Sequence, residues 1–408
     1  MRPGRRRFLL FISSVALAAC AEAGETADSG AGDPDAAIGT PDAAKAPIDA
    51  SMTPDAKPDT PDAAPGTPDA PGTPDAPPGT PDAAPPPDAP PTPDAAPLPD
   101  AAEGDCATGA VLTFTNTTPV PIVDLATSTS TVTVTGADPY LARVGIDMNL
   151  THTYNGDIAL TLISPAGTRV LLVNRLGGSA ADIYNGTLWS DVVSIPVTDF
   201  TFTSGVAAAQ LTPTSAMAAF NGENPNGTWT LEVVDAAGGD TGSINQWSID
   251  IAALPVTPTF APMTFTSSPG LAIADEATTT DALAISGATD LLCDLHVTTT
   301  ITHTFNGDLE LTVISPMGTR VALTTDNADT NANVFNGTLW DDTANAPVTE
   351  HVFTDGVTAT PLTAEAALGA FLGENANGTW TLEIVDDAGL DTGTLASWSI
   401  EAIGCSCP

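Results

Sequence analysis

NGENPNGTWTLEVVDAAGGDTGSINQWSID, residues 221–250, recurs as LGENANGTWTLEIVDDAGLDTGTLASWSIE at residues 372–401. Trp229 returns as Trp380 and Trp247 as Trp398, in both cases at an offset of 151 residues. A block repeated at a fixed period is one structural unit used twice. A period of this length is that of a whole domain, too long for a solenoid repeat. The offset extends upstream. His152-Thr153-Tyr154-Asn155-Gly156-Asp157 matches His303-Thr304-Phe305-Asn306-Gly307-Asp308, and Ser164-Pro165 matches Ser315-Pro316. Asn185-Gly186-Thr187-Leu188-Trp189 matches Asn336-Gly337-Thr338-Leu339-Trp340. The register holds without a gap from about residue 110 to 252, enough in each copy for one buried core.

Within a copy the pattern is all-β. Ile158–Ile163, Leu309–Ile314 and residues 228–234 and 248–251 are short strand-like runs. Around Trp229 apolar and polar residues alternate, as in a strand with one buried face. Asn-Gly pairs at 155, 185, 221 and 226 mark turns. Only residues 214–220 and 363–371 suggest short helical turns. Many short strands separated by turn signals point to a sandwich or jelly roll.

The remaining sequence is unlike these copies. Residues 1–19 carry Arg2, Arg5, Arg6 and Arg7 before a short apolar run, the pattern of an export signal. Leu17-Ala18-Ala19-Cys20 resembles a bacterial lipobox, in which Cys20 is lipidated; the alternative is an ordinary signal peptide cut near Ala19. Arg5-Arg6-Arg7-Phe8-Leu9 also resembles a twin-arginine signal. A lipidated Cys20 implies a membrane partner through the lipid and a place in the cell envelope, as an outer-membrane lipoprotein facing the surface or the periplasm. Residues 20–105 repeat Thr-Pro-Asp-Ala and hold no aromatic residue, so they read as a disordered linker. In polyproline II form, roughly 75 residues at about 3.1 Å each would reach on the order of 200 Å. This is either a spacer or a neutral low-complexity insertion. The formal net charge of −40 argues against nucleic acid as a partner, because phosphate binding needs a basic surface.

The ordered series H-T-Y-x-G-D, S-P-x-G-T-R, G-E-N-x-N-G-T-W-T-L-E and D-T-G-x-I/L-x-x-W-S-I resembles the P domain (P/Homo B domain). That domain follows the catalytic domain of subtilisin/kexin-like proprotein convertases and trails other secreted bacterial peptidases. The resemblance covers both copies, 106–254 and 258–405. It implies two tandem jelly-roll, galactose-binding-like β-sandwiches and a non-catalytic role. The sequence lacks the Gly-Thr-Ser and His-Gly signatures of a subtilisin-like triad, the GxSxG elbow and HExxH. His152 and His303 match between copies, without a nucleophile preserved beside them, and read as structural.

Asp157, Glu223, Asp235 and Asp240 align with Asp308, Glu374, Asp386 and Asp391. Ca²⁺ takes six to eight oxygen ligands and tolerates irregular loops, so these carboxylates are calcium candidates. The competing reading is that they cap turns through their own backbone. Trp229, Trp247, Trp380 and Trp398 read as core. Trp189 and Trp340 fall in loop-like segments and are candidates for exposed contact. Apart from Cys20, the cysteines are Cys106, Cys293, Cys405 and Cys407. In an exported chain they suggest disulfides, with Cys293 pairing one tail cysteine and Cys106 the other; four free thiols are the alternative. Two functions fit. One is a non-catalytic, surface-anchored protein- or glycan-binding module. The other is an accessory that stabilises a separate secreted subtilisin-like endopeptidase.

Overall fold

The structure, a computed structural model, describes residues 110–407. The residues read as an export signal and a linker, with Cys20 and Cys106, lie outside the described residues. The first copy holds β1 (Leu112–Asn116), β2 (Val120–Ile122), β3 (Thr127–Val134), β4 (Tyr140–His152) and β5 (Ile158–Ile163). It continues through β6 (Arg169–Asn174), β7 (Asn185–Trp189), β8 (Gln210–Leu211), β9 (Gly227–Asp235) and β10 (Gly242–Leu254). One sheet has the order β1-β10-β4-β7-β8, with β2 also on β10; the facing sheet is β3-β9-β5-β6. The chain crosses from one sheet to the other on entering β3, β4, β5, β7, β9 and β10, the interleaved connection pattern of a jelly roll.

The second copy repeats this plan. Its strands are β11 (Thr259–Ser267), β12 (Leu271–Ile273), β13 (Thr278–Ile285), β14 (Asp294–His303) and β15 (Leu309–Ile314). Then come β16 (Arg320–Thr325), β17 (Asn336–Trp340), β18 (Gly378–Asp386) and β19 (Gly393–Ser406). The sheets are β11-β19-β14-β17 and β13-β18-β15-β16. No strand pairs across the two copies among the described residues, and each copy has its own core.

Alternation decides which face is buried. In β9 the inward residues Trp229, Leu231 and Val233 are fully buried, and Thr228, Thr230 and Glu232 point outward. β5 answers with Ile158, Leu160 and Leu162. From the other sheet come Ile146 and Met148 of β4 and Trp247 and Ile249 of β10. Of the six 3-10 turns among the described residues, Asn155–Asp157, Asn306–Asp308, Asp342–Ala344 and Val348–Glu350 fall outside the two segments expected to form helical turns; Met217–Phe220 and Leu368–Phe371 lie inside them. Phe220 packs edge-on against Trp229 and Phe371 against Trp380, so each turn closes the same end of its core.

Trp189 and Trp340 are a correction to the sequence reading. Both end a strand, β7 or β17, and both are fully buried. Period-2 alternation turns the indole inward together with Thr187 or Thr338. All six tryptophans are core residues.

Candidate functional site

The repeated aspartates gather where β4 and β9 end. β4 delivers His152, the 3-10 turn Asn155–Asp157 delivers Asp157, β9 ends on Asp235, and the Gly-rich loop to β10 carries Asp240. Gly156 serves this turn by close approach: a side chain there would meet the carbonyl of Gly178. His152 Nε2 is 3.2 Å from Asp235 Oδ2 and its Nδ1 is 2.8 Å from the carbonyl of Tyr154. Nδ1 also lies 3.3 Å from Tyr154 N, so both ring nitrogens have partners and the ring ties the end of β4 to the end of β9. Thr153 Oγ1 donates to Asp240 Oδ1 at 2.7 Å, and Ala237 N donates to Asp235 Oδ1 at 3.3 Å.

Copy 2 reproduces this with one difference. His303 Nε2 is 3.0 Å from Asp386 Oδ2, its Nδ1 is 2.8 Å from the carbonyl of Phe305, and Thr304 Oγ1 donates to Asp391 Oδ1 at 2.6 Å. Here, however, Asp386 Oδ1 is buried without a hydrogen-bond partner. Asp308 is pushed above the usual carboxylate range by burial and then by the charges of Asp386 and Asp391, which His303 only partly offsets. The charges of Asp386 and Asp391 beside Asp308, offset only in part by His303, leave a negative concentration that a cation would relieve.

The structure divides the candidate set. Glu223 does not join Asp157, Asp235 and Asp240. Its carbonyl accepts from Leu141 N near the start of β4, and its carboxylate accepts from Thr168 Oγ1. β4 has thirteen residues, so at about 3.3 Å per residue its two ends are roughly 40 Å apart. Glu374, bound by Thr319 Oγ1, is placed in the same way in copy 2. Neither glutamate can share an ion with the aspartates.

One further cluster escaped the sequence reading. Glu310, Asp326 and Asp387 bring carboxylate oxygens within 4.8 Å of one another. Burial and the charges of Asp387, Glu310, Asp308 and Asp199 push Asp326 up to about 6. Copy 1 has Ala159, Arg175 and Ala236 at these positions, so a search for residues shared by both copies passes over the cluster. The signal available in sequence was the opposite one, the acidic residues by which copy 2 departs from copy 1.

Cys293 and Cys405 form a disulfide with Cα atoms 5.8 Å apart. It joins residues just before β14 to the end of β19. Cys407 is disulfide-bonded as well; Cys106, the partner expected for it, lies outside the described residues.

The family model for the proprotein convertase P-domain matches residues 141–251 and 292–402, together more than half of the chain. A calcium-dependent protease of Trichormus variabilis is 33% identical over 144 residues, 35% of this chain and 18% of the relative. Leupeptin-inactivating enzyme 1 of Streptomyces exfoliatus is 32% identical over 142 residues, 34% of this chain and 25% of the relative. Among solved structures, a serine protease of Aeromonas sobria is similar at 20% identity and a TM-score of 0.24, over 36% of this chain and 28% of that one. The chain spans a quarter or less of the length of these curated relatives, about one P domain in each alignment.

Proposed function

The chain belongs to the proprotein convertase P-domain family, and on that footing we propose that it is a non-catalytic accessory that binds and stabilises a separate secreted serine protease. The observation that carries this reading is the pair of complete P-domain sandwiches, each similar to a module found within proteases. The burial of all six tryptophans favours a protein partner over a glycan, because no indole is left to stack on a sugar. In this reading Cys20 carries a lipid that holds the protein in the cell envelope, and residues 20–105 set the head off the membrane. The test is the inactivation rate of a co-secreted subtilisin-like protease at elevated temperature, with and without the purified full chain. Slower inactivation is expected; an unchanged rate at saturating chain would refute the role.

Calcium belongs to the same proposal. Two of the relatives are named calcium-dependent proteases. Of the two repeated sets the orphaned Asp386 Oδ1 favours copy 2, with Asp308, Asp386 and Asp391 as the proposed ligands; among the described residues, the carboxylate oxygens that already lie within 4.8 Å of one another are those of Glu310, Asp326 and Asp387. Asp157, Asp235 and Asp240 are the corresponding, more fully hydrogen-bonded set. Bound there, the ion neutralises the carboxylates and ties the β18–β19 loop to the turn Asn306–Asp308.

A further inference from the structure

The hydrogen bonds that cross from one copy to the other come in mates. Ser194 Oγ donates to the carbonyl of Arg320, and Asn345 Nδ2 donates to the carbonyl of Arg169 at 2.9 Å. Position 345 stands in copy 2 where 194 stands in copy 1, and 320 stands where 169 does. Asn174 Nδ2 donates to Glu350 Oε2 at 2.9 Å, and Thr325 Oγ1, which donates to Glu365 Oε2 at 2.6 Å, lies 3.4 Å from Asp199 Oδ1. These positions are mates at the same offset. Head-to-tail stacking would press one patch of copy 1 against a different patch of copy 2 and give no such reciprocity. Residue i meeting j while the mate of j meets the mate of i is the property of an isologous, two-fold contact.

The middle of the contact follows the same rule. Asp191, buried, accepts from Met217 N at 2.9 Å and Ala218 N at 2.8 Å. Its mate Asp342 accepts from Gly369 N at 2.9 Å, and position 369 is the mate of 218. The turn of copy 2 meets copy 1 there: a side chain on Gly369 would lie 2.9 Å from Asp191 Cβ and 3.1 Å from its carbonyl. Each aspartate thus fixes the 3-10 turn of its own copy at the surface where the other copy docks.

We propose that the face built from Arg169, Asn174, Asp191 and Ser194 is a self-complementary docking surface whose occupant is a second copy of the same domain, here supplied by the chain itself. The tandem is then an internal two-fold dimer. Duplication gave each P domain a partner within the chain, and surfaces on the far sides of the copies are presented twice, in two-fold-related positions. This goes beyond the accessory role proposed above and does not depend on it.

The test is disulfide trapping in the full chain. The double variants Ser194→Cys/Arg320→Cys and Arg169→Cys/Asn345→Cys are oxidised and the linked peptides mapped by mass spectrometry, with folding checked by near-ultraviolet circular dichroism. Both pairs are expected to close within single chains. Gly369→Val, and its mate Ala218→Val, should each lower the yield of both cross-links about tenfold, the effect of losing roughly one well-made contact. Should Gly369→Val fail to fold, Asn345→Ala with the Ser194→Cys/Arg320→Cys pair takes its place, and a smaller loss in the same direction is expected. Closure of only one pair, of neither pair in folded protein, or only between different chains would overturn the proposal.

Discussion

Trp189 and Trp340 show how one partner residue changes the energetics of a shared position. Trp340 Nε1 donates to Thr299 Oγ1 at 3.0 Å, whereas Trp189 Nε1 is buried with no partner. Copy 1 has Met148 where copy 2 has Thr299. Met148→Thr should therefore supply the missing acceptor. Both Met148→Thr and Met148→Val leave a cavity, but only Thr offers the acceptor, so Met148→Thr should be about 1 kcal/mol more stable in denaturant unfolding than Met148→Val; equal stability of the two would contradict the bond. Asp191 and Asp342 make a second prediction. Burial pushes Asp191 up to about 6, and burial followed by the charge of Asp191 pushes Asp342 well above its ordinary range. Asp294 adds to the effect on Asp342. A carboxyl raised in the folded state holds its proton there while the unfolded chain loses it, so this contribution falls as pH climbs from about 4 through 6 and beyond. Asp342→Asn removes the penalty. Relative to wild type, the variant's melting temperature should rise progressively from pH 5 to pH 8; a constant difference would contradict the assignment. Four of the six tryptophans were legible as core from strand alternation around Trp229 and Trp247. The other two were not, because five-residue strands beside Asn-Gly pairs read as loops until a facing sheet covers them.

Strands were the most legible elements. Ile158–Ile163 and Leu309–Ile314 stand where alternation put them, and the block around Trp229 is β9. What a linear reading misses is which end of a strand a loop occupies. Glu223 lies twelve residues before Asp235 in sequence, yet the length of β9 carries it to the far end of the sandwich. The loop from β18 to β19 should therefore respond to calcium while Glu374 should not. Removing divalent ions with EDTA is expected to lower the melting temperature of the head, and Ca²⁺ to restore it. Asp391→Asn should abolish most of that shift, and Glu374→Gln should leave it intact. Equal loss in both variants would remove the β18–β19 loop from any cation site. Gly393 belongs to the same end: a side chain there would run into the Thr302 carbonyl and the His303 ring. Gly393→Ala should cost copy 2 about 1–3 kcal/mol, the range for forced overpacking in a well-packed site.

At the scale of the molecule, the duplication was plain in the sequence, because a 151-residue offset without gaps needs no structure to be seen. The way the copies face one another was not. Two-fold and head-to-tail packing of identical domains have the same sequence signature, and only contacts such as Asn345 to Arg169 tell them apart. The proposed anchor makes its own prediction: Cys20→Ala should move the protein from the membrane fraction to the soluble fraction after osmotic lysis, and continued sedimentation with membranes would contradict it. The accessory role is tested most directly by a binding isotherm between the full chain and a co-secreted subtilisin-like protease, read beside labelling of each by a serine-reactive probe. The account predicts a saturable complex in which the probe labels the protease alone. Absence of a complex at high micromolar concentration, or probe labelling of the tandem P-domain chain itself, would contradict it.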